Sequence, residues 1–256
     1  MTHRVVLLAE IGLAHFHPTP ECPRYLTALR NATAEELAPF STDVYADAYR
    51  VALENRPWTA RSLMLNAQRE GEDARRLWSM AVRAGDSAER ELLKRHAVDQ
   101  SDHARAFLTI LDLAFPGVVP AAFREQLASL SPGYGLDQEP AAPDDAPDQK
   151  APTLDDFIHI NLAQLRNASL QILLRPSLTS HCPPENVPGA TEVMDSILAD
   201  ELTHVARTAV VIERQSREEA LHEFAQRFQG CLRGFIDLTS EEPIDRGYHL
   251  RFGNYP

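Results

Sequence analysis

Four ionisable side chains stand at positions where a helical pattern would place apolar residues: Glu70, His103, Glu201 and His204. Burying a carboxylate without a partner is costly, and the carboxylate either binds a proton or acquires a partner. Imidazole rings and metal ions are common partners of a buried carboxylate. These residue types therefore predict buried Glu–His pairs or a site for a divalent metal ion.

The spacing of two of these residues strengthens the metal hypothesis. Glu201 and His204 form a Glu-x-x-His motif, which places carboxylate and imidazole one helical turn apart on one face. Both side chains can then reach the same metal ion. A related pattern, Asp99-Gln-Ser-Asp-His103, stands at a constant offset from Asp200-Glu-Leu-Thr-His204. In the earlier pattern Gln100 takes the place of the glutamate.

Helices must position these residues, and the apolar pattern predicts a helical hairpin over 58–115. Its two helices span 58–84 and 87–115, with a tight turn at Gly85. Glu70 lies about 22 Å before this turn and His103 about 24 Å after it, at ~1.5 Å per residue. The two side chains are therefore expected at the same height, facing each other across the hairpin.

The remaining helices are predicted from the same apolar periodicity. They span 24–38, 42–55 (with Ser41 as N-cap), 120–130, 155–174, 191–213 and 216–237. Residues 1–23 are predicted to be irregular because Pro18, Pro20 and Pro23 limit any helix. A Pro-rich loop is predicted over 175–189, and a mobile acidic crossover over 131–152.

The predicted fold class is all-α, in a single domain over 1–256. It comprises an N-terminal extension (1–57), a first hairpin (58–115), a crossover (116–153), a second hairpin (154–213), and a C-terminal helix with an extended tail (214–256). Only 7% of the residues are aromatic, and Ala, Leu, Arg and Glu recur throughout. Such a composition favours helices over sheets.

Composition also excludes several classes of function. A net charge of −12 at pH 7, without a basic stripe, argues against nucleic-acid binding. The three cysteines form no CxxC pair, which argues against a disulfide framework or a zinc knuckle. The apolar stretch near the N-terminus ends at Glu10, too early for a signal peptide, and no segment reaches membrane-spanning length. A cytoplasmic location is therefore expected, with no membrane partner.

In its Glu70, Gln100/His103 and Glu201-Leu-Thr-His204 positions, the chain resembles the ferritin-like di-iron carboxylate superfamily. The resemblance covers 58–115 and 154–213 and implies a four-helix bundle with a long crossover between its second and third helices. In such bundles two helices each supply a Glu and the other two each supply Glu-x-x-His. The resemblance also extends to the haem-oxygenase-like di-iron enzymes, and the sequence leaves these two topologies open.

The chain departs from this ligand pattern at two places. Gln100 is neutral where an anionic ligand is expected, and Asp99 or His96 is an alternative ligand on the same helix. The helix over 155–174 contains no Glu, and its polar candidates are Gln164, nearest the level of Glu201, with Asn161 and His159. One metal ion, two or none are therefore all compatible with the sequence.

The leading functional hypothesis is a non-haem iron oxygenase or oxidase acting on a small organic substrate with O₂. Iron is the expected metal, with manganese as an alternative. The second hypothesis is a ferritin-like protein without a metal centre, acting as a binding protein, a scaffold or a metal-free enzyme. Beyond substrate and O₂, a homodimer is an open alternative to a monomer.

Overall fold

The structure, a computed structural model, describes residues 3–16, 18–36, 38–130, 134–137 and 150–240. Every regular element within these ranges is a helix, which confirms the all-α class. The helices are α1 (Arg4–His15), α2 (Pro23–Glu35), α3 (Asp43–Leu53), α4 (Arg56–Arg83), α5 (Ser87–Ala114), α6 (Ala121–Leu130), α7 (Leu154–His181), α8 (Val187–Gln215) and α9 (Leu221–Ser240).

The chain divides into two compact units. Unit 1 comprises Met1–Asn55, Thr153–Ser177 and Leu198–Pro256, and unit 2 comprises Arg56–Pro152 and Leu178–Ile197. The long helices α7 and α8 each contribute residues to both units. The prediction of one domain over 1–256 stays a prediction.

In unit 2 the predicted hairpin of α4 and α5 is confirmed, and the two helices pack along their length. Their stripes bury side chains such as Leu63, Leu77 and Phe107, each of which contributes about 1.5–3 kcal/mol on full burial. Asp86 caps α5 by accepting a hydrogen bond from the backbone N–H of Glu89 at 2.9 Å. This cap and the short connection before it set the register of the hairpin.

Unit 1 contains a helix that the sequence analysis missed. Residues 1–23 were predicted to be irregular, but α1 spans Arg4–His15. Its buried side chains include Val5, Val6, Ala9 and Leu13, which fall on one helical stripe. The three prolines come after α1, and Pro23 opens α2, where a missing N–H is tolerated. The error came from extending the effect of these prolines backwards along the chain.

Gly12 lets α1 approach α8 closely within unit 1. A Cβ atom at this position would lie 2.8 Å from the carbonyl oxygen of Leu202, closer than real contacts allow.

Helix α3, in the same unit, is capped by Thr42, whose hydroxyl accepts a hydrogen bond from the backbone N–H of Tyr45 at 3.2 Å. Ser41, predicted as this cap, lies instead in the preceding 3₁₀ turn Pro39–Ser41.

The predicted loop over 175–189 is much shorter than expected. Helix α7 continues through Pro176 to His181, and α8 begins at Val187. The buried side chains of Leu174 and Leu178 carry the apolar stripe past the proline. Tertiary packing thus outweighs the backbone hydrogen bond that a proline removes.

The crossover predicted over 131–152 falls largely outside the described residues, as does the tail after residue 240. Tyr134 is described, and its ring stacks on that of Trp78 with the centroids 4.6 Å apart. No helix in the described parts of the chain is both long and apolar enough to cross a membrane.

Candidate metal centre

Glu70 occupies a buried position on α4. It shares the apolar stripe that includes Leu63 and Leu77, and only 4% of its surface is exposed. Ala67 and Ala74, one turn before and one turn after it, are fully buried small side chains. Its Oε2 atom accepts no hydrogen bond from the described residues.

His103 on α5 faces Glu70 across the hairpin, as the register predicts. Its Nδ1 atom lies 3.8 Å from Glu70 Oε2, and both side chains are buried. This separation is too long for a hydrogen bond. Two ligands of one metal ion, each about 2.0–2.2 Å from it, can lie at most ~4.4 Å apart. The pair is therefore spaced as two ligands of a shared ion can be.

Glu201 and His204 lie one turn apart on α8, and both are fully buried. Their stripe continues through Val205 and Thr208. The hydroxyl of Thr208 donates to the backbone carbonyl of His204 at 2.7 Å. The Glu-x-x-His motif thus stands on a regular, buried helical segment.

Each unit contains one pair of predicted ligands that could bind a metal ion. In unit 2 the pair is Glu70 and His103, which are buried with facing atoms 3.8 Å apart. In unit 1 the pair is Glu201 and His204, buried one turn apart on α8. Carboxylate oxygen and imidazole nitrogen suit divalent iron, manganese and zinc.

Of the remaining predicted ligands, Gln100, His96 and Gln164 are buried, whereas Asp99 is partly exposed. On α5, His96, Gln100 and His103 follow one another at intervals of four and three residues, which makes one continuous buried polar row. Neither end of the Gln100 amide makes a hydrogen bond with the described residues, and the same holds for the Gln164 oxygen Oε1.

Asp73 is a carboxylate that the sequence analysis missed. It follows Glu70 by one turn of α4, and its pKa is raised to about 7, first by burial and then by the charge of Glu70. Arg76 opposes this shift. The spacing Glu70-x-x-Asp73 was visible in the sequence and signals two acids on one helical face. Two carboxyl groups therefore lie one turn apart on α4, and their negative charge would favour a cation bound beside them.

Asn161 was a candidate ligand from α7, but its amide is fully engaged in a hydrogen-bond network of unit 1. Its Oδ1 accepts from Tyr25 Oη at 2.8 Å. Its Nδ2 donates to the carbonyl oxygen of Val205 at 3.0 Å and to Thr208 Oγ1 at 2.9 Å. Burial raises the pKa of Tyr25 far above its ordinary value, so the phenol stays a donor. These bonds give Asn161 a structural role.

No family model, curated protein or solved structure matches the chain.

Proposed function

We propose that the chain is a non-haem metal protein in which Glu70, His103, Glu201 and His204 hold one or two metal ions, with iron as the physiological metal. The observation that carries this proposal is the buried Glu70–His103 pair, whose Oε2 and Nδ1 atoms lie 3.8 Å apart, too far for a hydrogen bond and close enough for two ligands of one ion. The ferritin-like arrangement, or its haem-oxygenase-like alternative, belongs to the same proposal. It is supported by the order of α4, α5, α7 and α8 along the chain.

The donor set fits such an ion. Two carboxylates and one imidazole form the mixed nitrogen and oxygen environment typical of Fe(II) and Mn(II) sites. His204, one turn from Glu201, is the residue best placed on its helix to add a second imidazole. Gln100, Asp99, His96 and Gln164 complete or shape this environment in the proposal.

The protein side chains around the site would exclude water. Ala67, Ala74 and Leu77 on α4, with Phe107 on α5, are buried apolar neighbours along the helices that carry Glu70 and His103. A site enclosed in this way lowers the local dielectric, and charge–charge interactions become stronger there. Binding a metal ion would also require the carboxylates to be ionised and the imidazoles neutral.

A bound non-haem iron ion supplies redox and Lewis-acid chemistry for reactions of O₂ with a small organic substrate. In the proposed enzyme, the carboxylates would balance the charge of the ion and the imidazoles would supply its nitrogen ligands. An oxygenase or oxidase is the reaction class that this ligand chemistry favours, and O₂ and a small molecule are its proposed partners.

Metal content tests the proposal directly. The purified chain is loaded anaerobically with Fe(II), desalted and analysed by elemental mass spectrometry, together with Glu70→Gln, His103→Ala and Glu72→Gln. Glu72 is the matched control, because it is exposed and pairs with Gln68 outside the buried group. We expect one to two equivalents of iron in wild type and control, and a fraction of an equivalent in the first two variants.

An O₂-dependent optical change in the loaded wild type would support the oxygenase class. Equal iron in all four proteins would contradict the ligand assignment. Absence of retained iron, manganese or zinc in folded wild type would overturn the metal proposal as a whole.

A ferritin-like protein without a metal centre is the second candidate, and the Gln100 amide favours it. A neutral side chain stands where an anionic ligand is expected, and α7 contains no Glu. In this case the buried polar groups would bind a small organic ligand or stabilise the helices. The variant His204→Ala would then lower the melting temperature without any change in metal content.

A further inference from the structure

A cleft in unit 2, at the N-terminal end of α4, contains none of the proposed metal ligands. Its volume is about 470 Å³, within the ~300–1,000 Å³ typical of small-molecule sites. It is lined by the first turns of α4 and by residues near the end of α5 and the start of α6. Arg61 in its wall stands about 14 Å before Glu70 along α4, so the cleft is a separate site.

The walls of the cleft are largely apolar and partly open to solvent. Met64, Leu65 and Phe123 are each partly exposed, and Val118 is 44% exposed. Phe115 is buried beneath them. Apolar side chains left exposed in a concave surface indicate a site that an apolar ligand group can cover.

Two arginines line the cleft together with these apolar groups. Arg56 is fixed: its guanidinium donates to the carbonyl oxygens of His181 at 2.7 Å and Ala114 at 3.1 Å, and lies 4.8 Å from the ring centroid of Phe115. Arg61 is exposed and forms neither a hydrogen bond nor an ion pair with the described residues. Its guanidinium therefore has all its donors available for a ligand.

The charge around the cleft is opposite to that of the chain. No acidic side chain is among the lining residues, although the net charge of the chain is −12. The N-terminus of α4, a helix of 28 residues, adds partial positive charge on the same side. This combination favours an anionic group held beside an apolar one.

We propose that this cleft binds a small amphiphilic anion, namely a carboxylate or phosphate headgroup on a medium-length alkyl chain. Arg61 contacts the headgroup, because a guanidinium presents two parallel N–H donors to either kind of oxyanion. The side chains of Met64, Leu65, Val118 and Phe123 cover the alkyl chain. The proposal is independent of the metal centre.

Isothermal titration calorimetry of the full chain tests the site with decanoate and decyl phosphate, each below its micelle-forming concentration, and with decanol below its solubility limit. We expect saturable binding of decanoate or decyl phosphate at one site, with decanol at least about tenfold weaker because it lacks the charge. The stronger of the two anions identifies the headgroup.

Three variants locate the binding. Arg61→Ala should weaken anion binding about tenfold and leave decanol binding unchanged. Met64→Trp, which fills the cleft, should weaken all three ligands. Arg76→Ala, an exposed arginine further along α4, is the matched control and should bind like wild type.

A decanol affinity equal to that of the stronger-binding anion would overturn the proposal. An unchanged anion affinity in Arg61→Ala, or no saturable binding of either anion, would overturn it as well. Iron content of Arg61→Ala should equal that of wild type. A failure of this proposal is therefore distinguishable from a failure of the metal proposal.

Discussion

Two buried polar clusters of the molecule differ in how their side chains are satisfied. In one cluster, in unit 1, Tyr25, Asn161 and Thr208 form a hydrogen-bond network, and Glu213 accepts from the backbone N–H of Tyr25 at 2.9 Å. In the other cluster, on the α4–α5 hairpin, Gln100 makes no side-chain hydrogen bond with the described residues, and Glu70 Oε2 accepts none. The members of both clusters are buried, so burial alone does not distinguish them.

The difference separates buried polar side chains that stabilise the fold from those that are available to bind a ligand. A buried network whose donors and acceptors are all used rigidifies the fold and has no free lone pair for a metal ion. A buried polar group that the protein leaves unsatisfied is costly, and that cost is recovered when a ligand binds. Asn161 and Glu70 are accordingly expected to respond to substitution in opposite ways.

The largest effect should come from breaking the closed network. In Asn161→Ala, the hydroxyl of Tyr25 loses its hydrogen-bond acceptor. The Val205 carbonyl and the Thr208 hydroxyl each lose the hydrogen bond that the Asn161 amide donates to them. We expect a loss of about 2–4 kcal/mol in the free energy of unfolding, measured in urea. Asn167→Ala, on the same helix and only partly buried, should stay within about 0.5 kcal/mol of wild type. Similar values for the two variants would show that the network contributes little.

Metal binding should stabilise wild type and fail to stabilise a ligand variant. At a free Fe(II) concentration about 100 times the dissociation constant, the gain is about 2.7 kcal/mol. Anaerobic thermal unfolding with and without Fe(II) measures it. Glu70→Gln should show no gain, and Glu72→Gln should show the full gain. A gain of equal size in Glu70→Gln would remove Glu70 from the ligand set.

Alkaline pH should test how tightly the region around Tyr25 is closed. Burial first, and then Glu213, raise the pKa of the Cys22 thiol to about 11, whereas an unfolded cysteine has a pKa of about 8.5. The folded pKa is the higher one, so the thiol ionises first in the unfolded chain and stability falls as pH rises from about 8.5 towards 11.

At pH 10 this effect amounts to about 1.5–2 kcal/mol. Cys22→Ala abolishes it, so the stability difference between wild type and this variant should shrink by that amount between pH 7.5 and pH 10. Urea unfolding at the two pH values measures the difference. A constant difference would mean that the Cys22 thiol is accessible to solvent in the folded chain.

The smallest effect should have the opposite sign. In metal-free protein Gln100→Leu should raise the free energy of unfolding by about 1 kcal/mol, because it removes a buried amide that makes no hydrogen bond with the described part of the chain. Gln68→Leu, whose amide pairs with Glu72 near the surface of α4, should change it by less than about 0.5 kcal/mol. Destabilisation by Gln100→Leu would show that the amide has a partner in solution and that the two polar clusters do not differ as described.

The sequence by itself determined the all-α class and the pairing of Glu70 with His103. Both follow from local rules. Apolar periodicity identifies a helix, and a short connection capped by Asp86 makes two long helices antiparallel with a known rise per residue. Counting from the turn was therefore enough to place the two side chains at one height.

Prediction from local sequence patterns was wrong where a helix-breaking proline competed with tertiary packing. Pro176 predicts a helix end, yet α7 continues, because the buried side chains of Leu174 and Leu178 outweigh one lost backbone bond. Helix α1 was missed for the related reason that three prolines beyond it dominated the pattern.

Only the tertiary structure decided which buried polar residues are structural. Asn161 and Gln164 stand one turn apart on α7, and both were candidate ligands. The partner of Asn161 is Tyr25, 136 positions earlier in the chain, and no periodicity connects residues so far apart. Hydrogen bonds saturate and are directional, so the role of each polar side chain depends on partners that only the folded chain brings within reach.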